Sequence, residues 1–311
     1  MAETTVKVKP STDVGAVDVS LDKIGGNYYP VYKASFGAFG EVTPVSHDNP
    51  MPVADYWLDH ASHVIEGTYG DAVSVEQKAK DLLKFGRNNL VGTSLATVMT
   101  LPTGVLHETY VTSNLITHFS SSDNADTGTM VVEGHTTADG GLTFTFVVQS
   151  VTLAGQTKTA LTTPLARVTR LYNSNSVDWA GVIYIYQDDT VTAGVPATAE
   201  KVHLQTLIGN NQSDKCSTTI SNTDYWIVQS VYGDCLEKTA ASVEYRLEMR
   251  LAGKVFRDIV EGSASAGHNW KHEFKPYLIV PKNTDIRLVA KADGSNTQVS
   301  GGIQGVLAAV I

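Results

Sequence analysis

Residues 243–251 read Val243-Glu244-Tyr245-Arg246-Leu247-Glu248-Met249-Arg250-Leu251. Apolar and charged side chains alternate without a break, the period-two signature of a strand with one face in a core and the other toward water. Ala252-Gly253 then turns the chain into residues 254–259, which completes a β-hairpin. Tyr245, Leu247 and Met249 are expected in the core. Glu244, Arg246, Glu248 and Arg250 are expected on a solvent face or a subunit rim.

The same style extends in both directions. Residues 142–153 run through Phe144, Phe146, Val148, Val151 and Leu153 and turn at Ala154-Gly155. Residues 180–186 alternate Val182, Tyr184 and Tyr186 against Ile183 and Ile185, and residues 286–290 and 299–311 flank a loop at Asp293-Gly294. Short strands at regular spacing with Gly-rich turns predict a mainly β chain with two antiparallel β-sandwich, jelly-roll-like domains. The punctuation Gly209-Asn210-Asn211-Gln212 separates them, giving domains at 87–208 and 209–311. No sustained solenoid-type repeat is present.

The N-terminal region reads differently. Residues 14–19 and 28–34 are short strand-like pieces set among glycines, closing at Asp48-Asn49-Pro50-Met51-Pro52. Such pieces bury little alone, so residues 1–52 are expected to be an extended anchoring arm that completes its hydrogen bonds on a neighbour or on the chain's own body. Residues 53–86 are expected to be a helical linker. Ser74 and Gln77 have capping-box spacing, Val75, Ala79, Leu82 and Leu83 recur at helical spacing, and Gly86 stands where a glycine stop belongs.

Composition narrows the function classes. The 311 residues are 42% hydrophobic and only 18% charged, and the formal charge of −9 comes with no basic stripe to neutralise phosphates, so no nucleic-acid partner is expected. No run approaches the length needed to span a bilayer, and residues 1–10 lack the apolar core of a signal peptide. Synthesis in a cytoplasm and no membrane insertion are the expectations. Cys216 and Cys235, the only two cysteines, are then expected as free buried thiols.

Several segments resemble a family of structural proteins from marine tailed bacteriophages. They are Tyr29-Pro30-Val31-Tyr32-Lys33 with Asn49-Pro50-Met51-Pro52-Val53; Phe85-Gly86-Arg87-Asn88; residues 120–128 (SSSDNADTG); residues 167–173 (RVTRLYN); residues 180–185 (AGVIYI); Gly194-Val195-Pro196; Gly209-Asn210-Asn211-Gln212; and residues 280–286 (VPKNTDI). Each is turn punctuation around strands, and their order along the chain carries the resemblance. The pattern breaks at residues 213–233, where Cys216, Asp224, Tyr225 and Trp226 stand. The resemblance implies a non-enzymatic virion component, found as a head decoration, neck or tail-attached protein. It also implies a homotrimer that docks on major capsid, portal, neck or tail proteins, with no cofactor. Tyr29, Pro30, Val31, Tyr32 and Lys33, together with Arg246 and Arg250, are the expected assembly residues.

Candidate chemistry is sparse. Asp59, His60 and His63 lie close together and His268 and His272 are four apart, but neither group marks a third zinc ligand, so no metal site is expected. Asp123 and Asp126 fit Asx-type turns better than a calcium loop. Asp188-Asp189 on a strand would point to opposite faces, unlike a glycosidase pair. No nucleophile elbow, P-loop or dinucleotide fingerprint appears. A polysaccharide-degrading spike would need a repeated parallel solenoid. The alternative reading is a receptor-recognition protein for a host-surface glycan. It would use Tyr225, Trp226 and Trp270, or Tyr184 with Tyr186, as stacking platforms, against the ordinary fate of large aromatics as core.

Overall fold

The computed structural model describes residues 80–236, 242–294 and 297–309, together with the backbone of five short strands between residues 5 and 44. The chain divides into two compact units, Met1–His63 and Val64–Ile311. In the first, β1 (Thr5–Val8), β2 (Val17–Ile24) and β3 (Asn27–Val31) form an antiparallel sheet with β2 at its centre. β4 (Ser35–Phe36) pairs with β5 (Thr43–Pro44). The strand pieces expected to complete their hydrogen bonds elsewhere therefore pair first with one another. Pro30 lies opposite Leu21 on the edge strand β3, the sheet position at which a missing N–H is tolerated.

The second unit begins with β6 (Lys80–Val91) and β7 (Ala96–Thr97). A first set of strands follows: β8 (Ile116–Ser121), β9 (Thr129–Thr136), β10 (Thr145–Thr152), β11 (Thr159–Leu165) and β12 (Arg167–Asn173). It continues with β13 (Ile183–Gln187), the small hairpin β14 (Val191–Thr192) and β15 (Val195–Pro196), and β16 (Val202–Gln205). The last set is β17 (Ser217–Thr219), β18 (Asp224–Cys235), β19 (Ser242–Leu251), β20 (Arg257–Ser265), β21 (Asn269–Val280), β22 (Thr284–Ala292) and β23 (Thr297–Ala309). Apart from one 3-10 turn at Ala199–Lys201, the described residues contain no helix.

Two sandwiches result. In the first, the sheets β10-β9-β12 and β11-β8-β13-β16 face each other. One core joins Met130, Val132, Val168 and Leu171 of one sheet to Ile116, Phe119, Ile183 and Leu204 of the other. In the second, β17-β22-β19-β20 with β7 faces β21-β18-β23-β6. Its core joins Tyr245, Leu247, Ile286 and Leu288 to Trp226, Val228, Val231 and Ile303. The strand at 242–251 behaves as its alternation requires: Val243, Tyr245 and Leu247 are fully buried, Met249 packs at the margin, and Leu251 emerges at the turn. The hairpin into β20 turns through Gly253 at φ +70°, a left-handed conformation that glycine adopts without strain.

The helical linker is a correction. Residues 53–79 lie outside the described residues, but residues 80–86 are strand, the first half of β6, laddered against β23. Leu82 and Lys84 point inward and Leu83 and Phe85 outward, so the same side chains that satisfy helical spacing also satisfy period two. Pairing with β23 decides between them. The expected boundary at residue 86 coincides with no sheet boundary, because β6 and β7 precede the first sandwich in sequence yet belong to the second.

Gly86 is no helix stop. It shares one inward row with Gly301 and Gly233 across three strands. A Cβ at Gly86 would overlap the Val98 carbonyl, one at Gly301 would crowd Leu288, and one at Gly233 would lie 2.6 Å from the Tyr245 ring. The row lets one sheet press onto the other at van der Waals distance. Leu247→Ala should lower the unfolding free energy by about 2–5 kcal/mol in urea titrations, the cost of a core cavity. Gly301→Ala should cost about 1–3 kcal/mol by overpacking, read in the same titration.

Candidate functional site

Charged groups are buried where the two sandwiches meet. Arg167 opens β12 on the outer face of the first sandwich and reaches Asp285 at the start of β22, with Nε 3.0 Å from Oδ1 and Nη2 3.2 Å from Oδ2. Asp285 is 1% exposed. Arg250 of β19 approaches from the other side, its Nη2 2.8 Å from Oδ2, and the Thr219 hydroxyl donates to Oδ1 at 2.6 Å. The guanidiniums lie over aromatic faces. Arg250 is 4.2 Å from the Tyr110 centroid and 4.7 Å from that of Phe256, Arg167 is 4.7 Å from Phe144, and Arg287 is 3.9 Å from Phe256. Cations desolvated against rings in this way gain from the ring quadrupole.

A second buried pair lies beside the first. Glu108 accepts from Lys215 and, at 2.9 Å, from the Ser217 hydroxyl, while Lys215 also donates to the Val168 carbonyl at 2.6 Å. Lys84 of β6 donates to the Thr169 carbonyl at 3.3 Å. Backbone bonds continue the seam: Ser213 N–H to the Leu171 carbonyl at 2.9 Å, and Asn222 N–H to the Phe144 carbonyl at 2.7 Å.

Burial alone would raise the carboxyls of Glu108 and Asp285. Lys215 outweighs it at Glu108, and Arg167 with Arg250 outweighs it at Asp285, so both stay below the ordinary carboxylate range. Desolvation lowers Lys84 to about 8 and His135, on the same seam, to about 3, where the Lys84 charge adds to the effect. Near neutral pH these carboxylates are ionised and His135 is neutral, so the cluster holds its protons and binds the sandwiches together.

The outer face of the sheet β21-β18-β23-β6 is a second candidate. Across its four strands the outward rows read Ile279, Ile227, Val306 and Asp81; Glu273, Ser230, Gln304 and Leu83; and Lys271, Tyr232, Gly302 and Phe85. Ile279 is 61% exposed and Leu83 52%, with Tyr277 and Phe85 also exposed. An antiparallel sheet with a solvated face normally alternates to polar there, and these four side chains interrupt an otherwise mixed face.

The residues expected to act are scattered. Tyr29, Pro30 and Val31 lie in β3, whereas Tyr32 and Lys33 fall outside the described residues. Arg246 sits on the outer face of its sheet among Glu244, Asp258 and Glu261, 3.0 Å from Asp258. Arg250 and Glu248 depart from the expected solvent face: Arg250 holds Asp285, and Glu248 is buried against Arg287 at 2.6 Å. Trp226 is fully buried in the second core, which removes it from any surface platform. Trp270 stacks on Tyr245 with centroids 5.9 Å apart, and Tyr225 is half-buried on the outer face of β18.

Among the described residues no three His, Cys, Asp or Glu side chains group as a metal site. His60 and His63 lie outside those residues. His268 is exposed in a turn and His272 packs edge-on to Phe274 at 4.7 Å. Asp126 is buried and accepts from the Ser121 hydroxyl and from the backbone N–H groups of Ala180 and Gly181, so donors occupy its carboxylate. Asp188 turns to Lys158 and Asp189 to Lys201, on separate sides of the strand end. Cys216 and Cys235 are both buried free thiols.

No protein-family model and no curated protein matches the chain. Among solved structures, a chain from the infectious bursal disease virus Gt strain is similar at 10% identity and TM-score 0.20, covering 80% of this chain and 77% of that one. A chain from the VP2 subviral particle of infectious bursal disease virus is similar at 12% identity and TM-score 0.18, covering 81% and 77%. Likenesses of this degree leave the fold to be read from the chain's own ladders.

Asp285→Asn should destabilise by roughly 3–5 kcal/mol, because it leaves Arg167 and Arg250 buried without their counter-ion. With both carboxyls depressed, their stabilisation is fully present above the unfolded values of 3.8 and 4.5 and is lost as pH falls through the folded ones. The urea midpoint should therefore fall steeply in acid, and less steeply in Asp285→Asn. Lys84 has the opposite sign: its lowered pKa is a penalty present in full below about 8 and gone above 10.5. Lys84→Met should raise stability at pH 7 by about 1–3 kcal/mol and flatten the alkaline limb of the same titration.

Proposed function

We propose that the chain is a non-enzymatic structural protein of a virus particle, a rigid β building block that associates with copies of itself. The observation that carries this reading is the set of exposed apolar side chains on the outer face of the sheet β21-β18-β23-β6. Ile279 and Tyr277 stand exposed on its edge strand β21 and Leu83 and Phe85 on its other edge strand β6, and exposed apolar side chains gathered on one face mark protein contacts. Opposite charges lie on its β21 border, where Lys271 sits 2.9 Å and Lys275 3.5 Å from Glu273. The cross-linked junction complements it, because a building block that transmits load between neighbours needs its two sandwiches fixed in one orientation.

The finer assignment rests on the sequence motifs. Their order along the chain supports a tailed-phage virion protein of head, neck or tail, assembled in the host cytoplasm. On this reading residues 1–52 dock on other virion proteins and closed symmetry gives a homotrimer. Sedimentation equilibrium of the full chain tests self-association. The wild-type chain should sediment as a closed oligomer at micromolar concentration. Leu83→Asp and Ile279→Asp should each shift it toward monomer without changing the melting temperature. A wild-type chain that stays monomeric, or an oligomer indifferent to both changes, would overturn the reading.

A further inference from the structure

A cleft of about 660 Å³ opens on the outer face of the sheet β11-β8-β13-β16, between that sheet, the segment at residues 100–106 and the β14–β15 hairpin. Its size is that of a small-molecule site. Tyr184 and Gln205 line it, directly opposite one another on β13 and β16, so that ring and amide are cross-strand neighbours on one face. Their scaffold is fixed, because β13 is bonded on both sides, to β8 and to β16. Leu90, Leu106 and Val195 stand exposed around the cleft and Pro196 stiffens one wall.

Two properties of the lining select a ligand. No charged side chain contributes to it, so nothing compensates a phosphate, a carboxylate or an ammonium. Among the described residues, the Gln205 amide and the Tyr184 and Thr103 hydroxyls make no hydrogen bond, whereas the Asn88 amide is engaged with Thr97 and Leu90. Three polar groups with free donor and acceptor capacity therefore line one uncharged cleft, the Gln205 amide directly across from the Tyr184 ring. A purely apolar guest would strand them. A sugar ring presents what they require: a C–H face that lies on an aromatic ring, and hydroxyls at its edge that both donate and accept.

We propose that this cleft binds a neutral saccharide, with Tyr184 as the stacking platform and Gln205 and Thr103 as hydroxyl partners. β6 contributes Asn88, Asn89 and Leu90 to the cleft, but Leu83, Phe85, Tyr277 and Ile279 of the proposed subunit face do not line it, and the proposal does not depend on the assembly reading. Of the aromatics that the sequence offers for glycan contact, Tyr184 is the one that lines the cleft, whereas Trp226 is core, Tyr186 is buried and Trp270 packs on Tyr245.

Saturation-transfer NMR of the full chain tests the assignment. The neutral probes are maltose, lactose and N,N′-diacetylchitobiose, and the charged ones are 3′-sialyllactose and glucose 6-phosphate. At least one neutral probe should receive saturation, strongest on one face of one ring. Tyr184→Ala and Gln205→Ala should each weaken it roughly tenfold or more at an unchanged melting temperature. Tyr184→Phe should keep most of the binding, which guards against reading a folding defect as lost affinity. The proposal is overturned if no neutral probe binds, if charged probes bind equally well, or if both alanine variants bind like the wild-type chain.

Discussion

The Asp285 carboxylate is shared by guanidiniums from two sandwiches, Arg167 from the first and Arg250 from the second. Burying three such charges is costly. The cost is offset only where each ion finds its partners, and here each does: two cations and a hydroxyl on the carboxylate, aromatic faces and carbonyls on the guanidiniums. Hydrophobic contact between two sandwiches would allow many nearly equal orientations. A satisfied buried ion cluster allows one, because any slip strands a charge.

The neighbouring Glu108–Lys215 pair and the backbone bonds at Leu171 and Phe144 extend the same logic along the seam. The connectivity supports it as well. The chain lays down β6 and β7 in the second sandwich, builds the first, and then returns to finish the second. Neither sandwich is a bead that could be cut away at a linker. The paired body is rigid, and its deep ionisable groups bind its parts together.

The legible portion of this architecture is the portion written in local period. Residues 242–251 carry a strand pattern that survives any context, and the turns at Gly155 and Gly253 follow from residues that accept positive φ. β6 was illegible because Leu82 and Leu83 fit a helix and a strand alike, and only the partner strand β23 separates them. The junction was illegible for a stronger reason. Its pairs lie 118 residues apart for Arg167 and Asp285 and 107 for Glu108 and Lys215, so no local spacing announces them. Arg250 shows the cost: read with its strand neighbours it belongs to a solvent face, read with Asp285 it is interior. The aromatics show the same limit, since a tryptophan in a β-sequence has one composition signal whether it fills a core, as Trp226 does, or faces out.

The central claim is that the two sandwiches form one cooperative body, locked through Asp285. Residue-resolved hydrogen exchange on the full chain tests it most directly, comparing the slowest amides of β9 around Val132 with those of β19 and β22 around Leu247 and Leu288. One body predicts a single opening free energy for both sets, with the same urea dependence. If the β9 set opens at a markedly lower free energy while the β19 and β22 set stays protected, the sandwiches are independent and the ionic junction does not lock them.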